Sequence, residues 1–429
     1  LPEQPSESKP GGSTSSRGPL GVVFFTIFLD LLGFGIIIPI QPFYAEAFGA
    51  SPTVVTLLGA SYSLMQFVFA PFWGRLSDRY GRRPIILTSI TIGAVGYLIF
   101  GLAGSLGVLF AARMLSGFGN ANIATAQAVI ADVTGPADRA KGMGLIGAAF
   151  GLGFIFGPAL GGFVGQWGPQ YPAFLAAGLG CVNLLLALRF LPETRRPTNH
   201  HEAAHRFSLE RVRAALSVPG VAGMLAVFFL VTTGFSLMEQ VLGLTIERIW
   251  VVGGPYALGL AQGSPASHAR AALMTGQFLV VIGVTAAIVQ GGLIGRLTRR
   301  FGEARLLVFG LGALSLSLVL IPIAGQVAPF WSLIPIGVLM AVGSGLTTPS
   351  ITSALSQLSS SENQGGVLGV GQSASALGRV VGPAVSGALF EVAIPLPYLV
   401  GATLMVVAGA FALMTFRRDD IALGFAATR

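Results

Sequence analysis

Gly74-Arg75-Leu76-Ser77-Asp78-Arg79-Tyr80-Gly81-Arg82-Arg83 puts four arginines and one acid between two long apolar runs, and 221 residues later Gly295-Arg296-Leu297-Thr298-Arg299-Arg300-Phe301-Gly302 repeats its pattern. A second echo has nearly the same period. Gly144, Gly153, Gly157-Pro158 and Gly161 return as Gly369, Gly378, Gly382-Pro383 and, one residue late, Gly387. Two echoes at one spacing mean an internally duplicated chain. In membrane carriers such a duplication places the binding site between the repeats, near mid-membrane.

The surroundings of these stretches are apolar. Hydrophobic residues make up 53% of the 429 positions, charged residues only 10%, and there are 60 glycines. Soluble domains carry about 25% charge and about half this share of glycine. Runs long enough to cross a bilayer, about 20 residues each, fall at 20–43, 54–73, 85–104, 106–130, 142–166 and 171–191. They resume at 221–247, 272–294, 305–324, 331–355, 364–390 and 396–416. Such long runs exclude a β-barrel, whose strands are short and alternate. The expected fold is an all-α membrane protein with twelve transmembrane helices in two pseudo-symmetric six-helix halves. Its divisions are a disordered cytoplasmic tail (1–18, with no apolar core and so no cleavable leader), a first half (19–191), a cytoplasmic linker (192–220), a second half (221–418) and a cytoplasmic tail (419–429).

Charge sets the orientation. With the N-terminus inside, all but four of the 25 Lys and Arg lie on the cytoplasmic side; Arg248 and Arg270 lie outside, and Arg113 and Arg379 within helices. The net charge of +8 therefore reflects the positive-inside rule and calls for no nucleic acid. The single Cys181 excludes an internal disulfide and reads as a packing residue. His201-Glu202-Ala203-Ala204-His205 spells H-E-x-x-H, but a linker has no cleft or further ligand to make a metalloprotease of it. No enzyme activity, cofactor or metal is expected.

Ionisable groups inside the runs carry the functional argument, because they are costly in hydrocarbon and usually functional. Asp30 lies about 15 Å deep in the first run at 1.5 Å per residue. It is the leading proton-carrier candidate, unless Arg113 or backbone donors neutralise it permanently. Glu239 lies about 12 Å from the outer surface and is the counterpart in the second half. From Arg113 a polar stripe runs through Gly117, Asn120, Ala124 and Gln127 at helical spacing. Gln66, Gln277, Thr347 and Gln372, with Phe34, Tyr62 and Phe235, are candidates to line an amphipathic cavity; each serves equally well in interhelical bonding. Arg379 is a further buried cation without an assigned role. Glu46 and Glu391 read as solvated groups at outer helix ends. Gly144, Gly153, Gly157, Gly161 and Gly165 keep to one broad helical face against which another helix can pack, with a kink invited at Pro158.

These motifs together resemble the major facilitator superfamily, over nearly the whole chain after the tail. Gly74 to Arg83 resembles its signature loop, and Leu109 to Gly119 its helix-4 motif. Gly144 to Gly165 resembles the helix-5 motif of its proton antiporters. Leu29-Asp30-Leu31-Leu32-Gly33-Phe34-Gly35 and Ile130-Ala131-Asp132-Val133-Thr134 resemble tetracycline-type efflux pumps, as does the Met238-Glu239 pair. The resemblance implies that Gly74, Asp78, Arg79, Gly81, Arg82 and Arg83 form a conformational latch, with Asp78 meeting helix 11 in one transport state. Arg299 stands where the second copy would place that acid, so any latch is one-sided. The helix-5 face is implied to seal the outer side, and Asp30, Glu239 and Arg113 to couple transport to protons. The expected function is export of small amphipathic molecules, drug-like or metabolite, in exchange for protons, by a monomer in a bacterial inner membrane. The alternative is a carrier of one physiological cargo such as a siderophore, lysolipid or sugar, with or without protons. The partners are thus substrate, protons and the lipid bilayer.

Overall fold

The computed structural model describes residues 17–121, 123–133, 139–194, 213, 216, 218, 220–359 and 364–418. The linker histidines, residues 1–16 and residues 419–429 lie outside them, and α1 begins two residues inside the stretch expected to be tail. Among the described residues all regular structure is helical. A first set comprises α1 (Arg17–Ile37), α2 (Gln41–Glu46), α3 (Pro52–Tyr80), α4 (Arg82–Gly101), α5 (Leu106–Gly119), α6 (Ile123–Val133), α7 (Arg139–Val164) and α8 (Tyr171–Phe190). A second set comprises α9 (Val221–Ile246), α10 (Pro265–Ile288), α11 (Ile294–Phe301), α12 (Glu303–Val327), α13 (Leu333–Gln357), α14 (Gln364–Val392) and α15 (Leu396–Arg418).

Eight helical stretches among the described residues are long and apolar enough to cross a membrane. Large apolar side chains face outward all round them, including Phe25, Leu185, Leu316 and Val406. Such a surface is stable only against lipid. Cys181 belongs to it: it is exposed and does not pack in the interior, because its face of α8 is turned outward with Val182 and Leu185. Trp167 and Trp331 are also exposed, at helix ends opposite the arginine-rich loops, where amphipathic rings sit well at the membrane–water interface.

Two apolar runs are broken. The first ends at Ile37 and restarts as α2, since Pro39 and Pro42 remove backbone donors. The run from 106 splits into α5 and α6 at Asn120. Its side-chain amide donates to the hydroxyls of Tyr97 (2.9 Å) and Tyr62 (3.4 Å), and its carbonyl accepts from Gln66 Nε2 (3.1 Å). Irregular backbone at membrane depth is tolerated where it lines a cavity or is buried in protein, and here it is satisfied by both.

The helix-5 motif packs chiefly on α1. A Cβ placed at Gly153 would lie 2.8 Å from Leu31 Cβ, at Gly157 2.7 Å from Gly35 Cα, and at Gly161 2.1 Å from the Ile36 carbonyl oxygen. Gly165 meets Ile40, and the surroundings of Gly144 lie outside the described residues. A second face of α7 meets α10, where a Cβ at Gly162 would lie 2.7 Å from the Ala272 carbonyl oxygen and one at Gly276 2.6 Å from that of Pro158. The arrangement recurs in the second set. Gly378 and Gly382 of α14 rest on α9 backbone at Phe229 and Thr233, while Gly387 meets α3 at Pro52. So α7 and α14 each hold one helix of their own set and one of the other.

Gly157→Leu is expected to prevent this packing. Overpacking a close-fitted site costs about 1–3 kcal/mol or more, here against backbone that cannot swing aside. Gly151→Ala in the same helix meets open space and should leave the melting temperature unchanged. Comparing the two variants by yield and thermal unfolding in detergent checks this; equal stability would mean that α7 does not pack on α1 as described.

Candidate functional site

A cavity in the first set is lined by Asp30, Phe34, Tyr62, Gln66 and Asn120, with apolar walls from Val23, Ile27, Ile86 and Leu191. Asp30 is half-buried, and its Oδ1 accepts 2.9 Å from Asn183 Nδ2, which also donates to the Thr26 carbonyl at 3.1 Å. This ties α1 to α8 at the depth of the carboxylate. Phe34 stacks on Tyr62 with centroids 5.1 Å apart, and Arg113 lies over the Tyr62 ring at 4.2 Å. Arg113 is 4% exposed, and its Nε and Nη1 have no hydrogen-bond partner among the described residues. The aromatic face therefore carries much of its stabilisation, since a desolvated cation over a ring gains about 2 kcal/mol.

The second set contributes a facing group. Glu239 on α9 is half-buried, and Arg379 lies on α14. Arg379 Nη1 donates to Ser375 Oγ at 3.1 Å, and Ser375 bonds Thr232 at 3.1 Å. Arg379 and Gln372 are exposed although both lie inside a long apolar helix. A charge there cannot face hydrocarbon, so this side of α14 borders a water-accessible space. Phe235 is half-buried on α9 and Gln277 exposed on α10. Thr347 is fully buried, donates within its own helix to Gly343 at 2.8 Å and serves packing. Gln127 lies on α6, and its side chain is outside the described residues.

The residues that the sequence reading left out are Tyr97, Asn183 and, as a site residue, Arg379. All three are isolated polar groups in apolar runs, and that isolation was the available signal. Nothing in a linear pattern pairs Asn183 with Asp30, 153 positions apart.

At the arginine-rich end, Asp78 Oδ1 pairs with Arg82 Nη1 at 2.5 Å, and Arg82 Nε reaches Asp132 Oδ2 at 3.2 Å. Glu193 accepts from the backbone N–H groups of Arg82 (2.9 Å) and Arg83 (3.2 Å), capping α4 where exposed donors favour an anion. Gly81 has φ +103°, and a Cβ there would lie 2.5 Å from Glu193 Oε2, so both conformation and space demand glycine. Arg83 Nη2 donates to the Leu188 carbonyl at 2.7 Å, and Gly74 stands in open space. Asp78 thus pairs within its own loop.

The two sets meet at the opposite end. Arg248 Nη2 contacts Glu46 Oε1 at 2.8 Å, Thr53 N donates to Glu391 Oε1 at 3.0 Å, and Gly387 N donates to Thr56 Oγ1 at 3.1 Å. Glu46 is only 12% exposed. It is a bridge between the sets and not a solvated end group, because Arg248 and His268 cover it. Glu391 is exposed but engaged with α3. Toward the arginine-rich end, Gly291, Gly292, Gly295, Gly366 and Gly369 have no neighbour within 4 Å where a side chain would begin.

The sequence pattern of the Major Facilitator Superfamily matches residues 23–293 and 267–427. The class G tetracycline resistance protein of Vibrio anguillarum is 36% identical over 86% of this chain and 90% of its own length. The class C protein of Escherichia coli is 31% identical over 91% and 96%. Multidrug resistance protein 2 of Bacillus subtilis is 27% identical over 90% and 92%. Among solved structures, the human organic anion transporter MFSD10 (TETRAN) superposes with TM-score 0.67 at 23% identity, covering 93% of this chain and all of that one. A bacterial homologue of the human lysosomal transporter Spinster gives 0.71 at 17%, covering 96% and 100%. The chain belongs to the Major Facilitator Superfamily. It is a multi-pass membrane transporter of small molecules and not an enzyme.

The Asp30–Asn183 pair can be tested by a double-mutant cycle. Asn183→Leu leaves a carboxylate short of a donor, a cost of about 1–3 kcal/mol, whereas the same change made in Asp30→Asn should cost much less. Thermal unfolding of the four proteins measures the coupling, expected at about 0.5–3 kcal/mol for groups in contact. Strict additivity would mean that the two side chains act independently.

Proposed function

We propose that the chain exports small amphipathic molecules in exchange for protons by alternating access. It would do so through twelve membrane-spanning helices in two six-helix halves, 19–191 and 221–418, joined by a cytoplasmic linker. The recurrence of the α7 packing in α14 supports the two-half reading, and the arginine-rich end is the cytoplasmic one by the positive-inside rule. The protein is then a monomer of a bacterial inner membrane with both termini inside.

One observation carries the reading: a half-buried carboxylate, Asp30, shares its cavity with a stacked aromatic pair. Phe34 and Tyr62 offer an apolar, π-rich surface for an amphipathic substrate, while Gln66 and the Asn120 backbone offer polar contacts. Asp30 alternates between neutral and charged forms, taking a proton in one orientation and releasing it in the other. Arg113, held on Tyr62, transmits the substrate's presence to that equilibrium through the same ring, and Glu239 with Arg379 does so from the facing half. The Asp78–Arg82–Asp132 chain is the latch in its unlatched state, with Asp78 turned to its own loop. When the arginine-rich end closes, Asp78 meets the start of α14, and the contacts at the Glu46 end part.

Tetracycline is the first probe, because the relatives above are named for resistance to it. Everted vesicles with an acid lumen should accumulate it. Asp30→Asn should abolish that accumulation while tetracycline still quenches the fluorescence of the purified variant. A single cysteine at Thr298, with Cys181 replaced, should react only from the cytoplasmic face and fix the orientation. Full gradient-driven uptake by Asp30→Asn would remove Asp30 from the coupling mechanism.

A further inference from the structure

The cluster at the end opposite the arginines is more than an ion pair. Glu46 from the first set and Glu247 and His268 from the second bring one ligating atom each to within 4.8 Å of one another. His268 Nε2 lies 3.6 Å from Glu46 Oε2 and 3.6 Å from Glu247 Oε1. These separations are too long for hydrogen bonds. They match the edge of a coordination tetrahedron: bonds of about 2.0–2.2 Å from zinc to nitrogen and oxygen place neighbouring ligands about 3.3–3.6 Å apart.

The donors are also unsatisfied. Glu247 is 0% exposed, and its Oε2 has no hydrogen-bond partner among the described residues. Its Oε1 accepts from Ser267 Oγ at 2.9 Å and Gly263 N at 3.3 Å, which fixes the carboxylate plane. His268 Nε2 is likewise buried without a partner, and its ring leans on Phe43 with centroids 5.3 Å apart. The open imidazole nitrogen faces Glu46 Oε2 and Glu247 Oε1, and a buried nitrogen left without a bond between two carboxylates is rare in folded proteins. Arg248 opposes a cation here, lying 2.8 Å from Glu46 and 3.8 Å from Glu247 Oε2. With its amide turned, the Gln262 oxygen accepts from Arg248 at 3.1 Å and anchors the guanidinium on Glu46 Oε1, while Glu46 Oε2 is the oxygen that faces His268.

We propose that Glu46, Glu247 and His268 form a divalent transition-metal site, suited to Zn²⁺, that bridges the two sets of helices and holds this end of the transporter closed. The imidazole selects zinc-like ions over Mg²⁺ and Ca²⁺, which take oxygen ligands. Because the ligands come from both sets, they converge only while this end is shut. A bound ion therefore favours that conformation by its differential affinity and opposes transport.

The test uses the full chain with Cys181→Ser and with His200, His201 and His205 replaced, so that the linker cannot bind the ion. ZnCl₂ titrated onto the purified protein should bind at one equivalent by calorimetry and raise the melting temperature, whereas MgCl₂ should do neither. Even losing a ligand's outer partner costs about 10–100-fold in metal affinity, so His268→Ala should weaken binding at least tenfold, and Glu46→Gln should do the same. Zn²⁺ should also slow maleimide labelling of Thr53→Cys, which sits between α3 and α14 at the same end, in the parent but not in His268→Ala. No saturable Zn²⁺ binding by the parent, binding unchanged in His268→Ala, or binding without the labelling effect would overturn the proposal.

Discussion

A charge inside a bilayer must face protein or water, and most of this structure follows from four that do. Asp30, Arg113, Glu239 and Arg379 lie within long apolar helices; Arg113 is buried, Asp30 and Glu239 are half-buried, and Arg379 is exposed beside Ser375. Arg113 rests on the Tyr62 ring, Asp30 is held by Asn183, and Arg379 donates to Ser375. Asp30 and Tyr62, which carries Arg113, border one cavity in the first set, and the helices that bear these groups pack on their neighbours as well as facing lipid.

Holding those charges in register takes close backbone contact, and glycine supplies it. In α7 and α14 the glycine faces bring a neighbouring backbone closer than any side chain permits. Each of these helices touches both sets, so each is fixed in its own body and yet forms part of the contact that must open. Different glycines make the two contacts: Gly153, Gly157 and Gly161 lie on α1 and Gly162 on α10, while Gly378 and Gly382 lie on α9 and Gly387 on α3.

Much of this was legible in the sequence. Most apolar runs fall on helices, because hydropathy over 20 positions leaves little freedom, but α3 continues seven residues past its run, α10 begins seven before its own, and the runs from 20 and 106 are each split. Asp30 and Arg113 stood out because charge is rare in such runs. Partnerships between distant positions were not legible. Nothing linear links Asn183 to Asp30, or Glu46 to Arg248 and His268, and Glu46 therefore read as a solvated helix-end group. The break at Asn120 was missed because a hydropathy window cannot register one amide bonding to two tyrosines. The helix-5 motif was read as one broad packing face, whereas its glycines lie on α1 and the neighbouring Gly162 makes the contact with α10.

Under the proposed alternating access the two ends of the molecule are reciprocal: the contacts at the Glu46 end would be made while the arginine-rich end is open. Spin labels at Tyr80 and Phe301 report on the arginine-rich end, and labels at Trp167 and Val392 on the other; all four positions are exposed. Pulsed electron–electron distances in nanodiscs, recorded with and without tetracycline and at two pH values, should show one pair lengthening as the other shortens. Two distances that change together, or that stay fixed in every condition under which transport is measured, would contradict it.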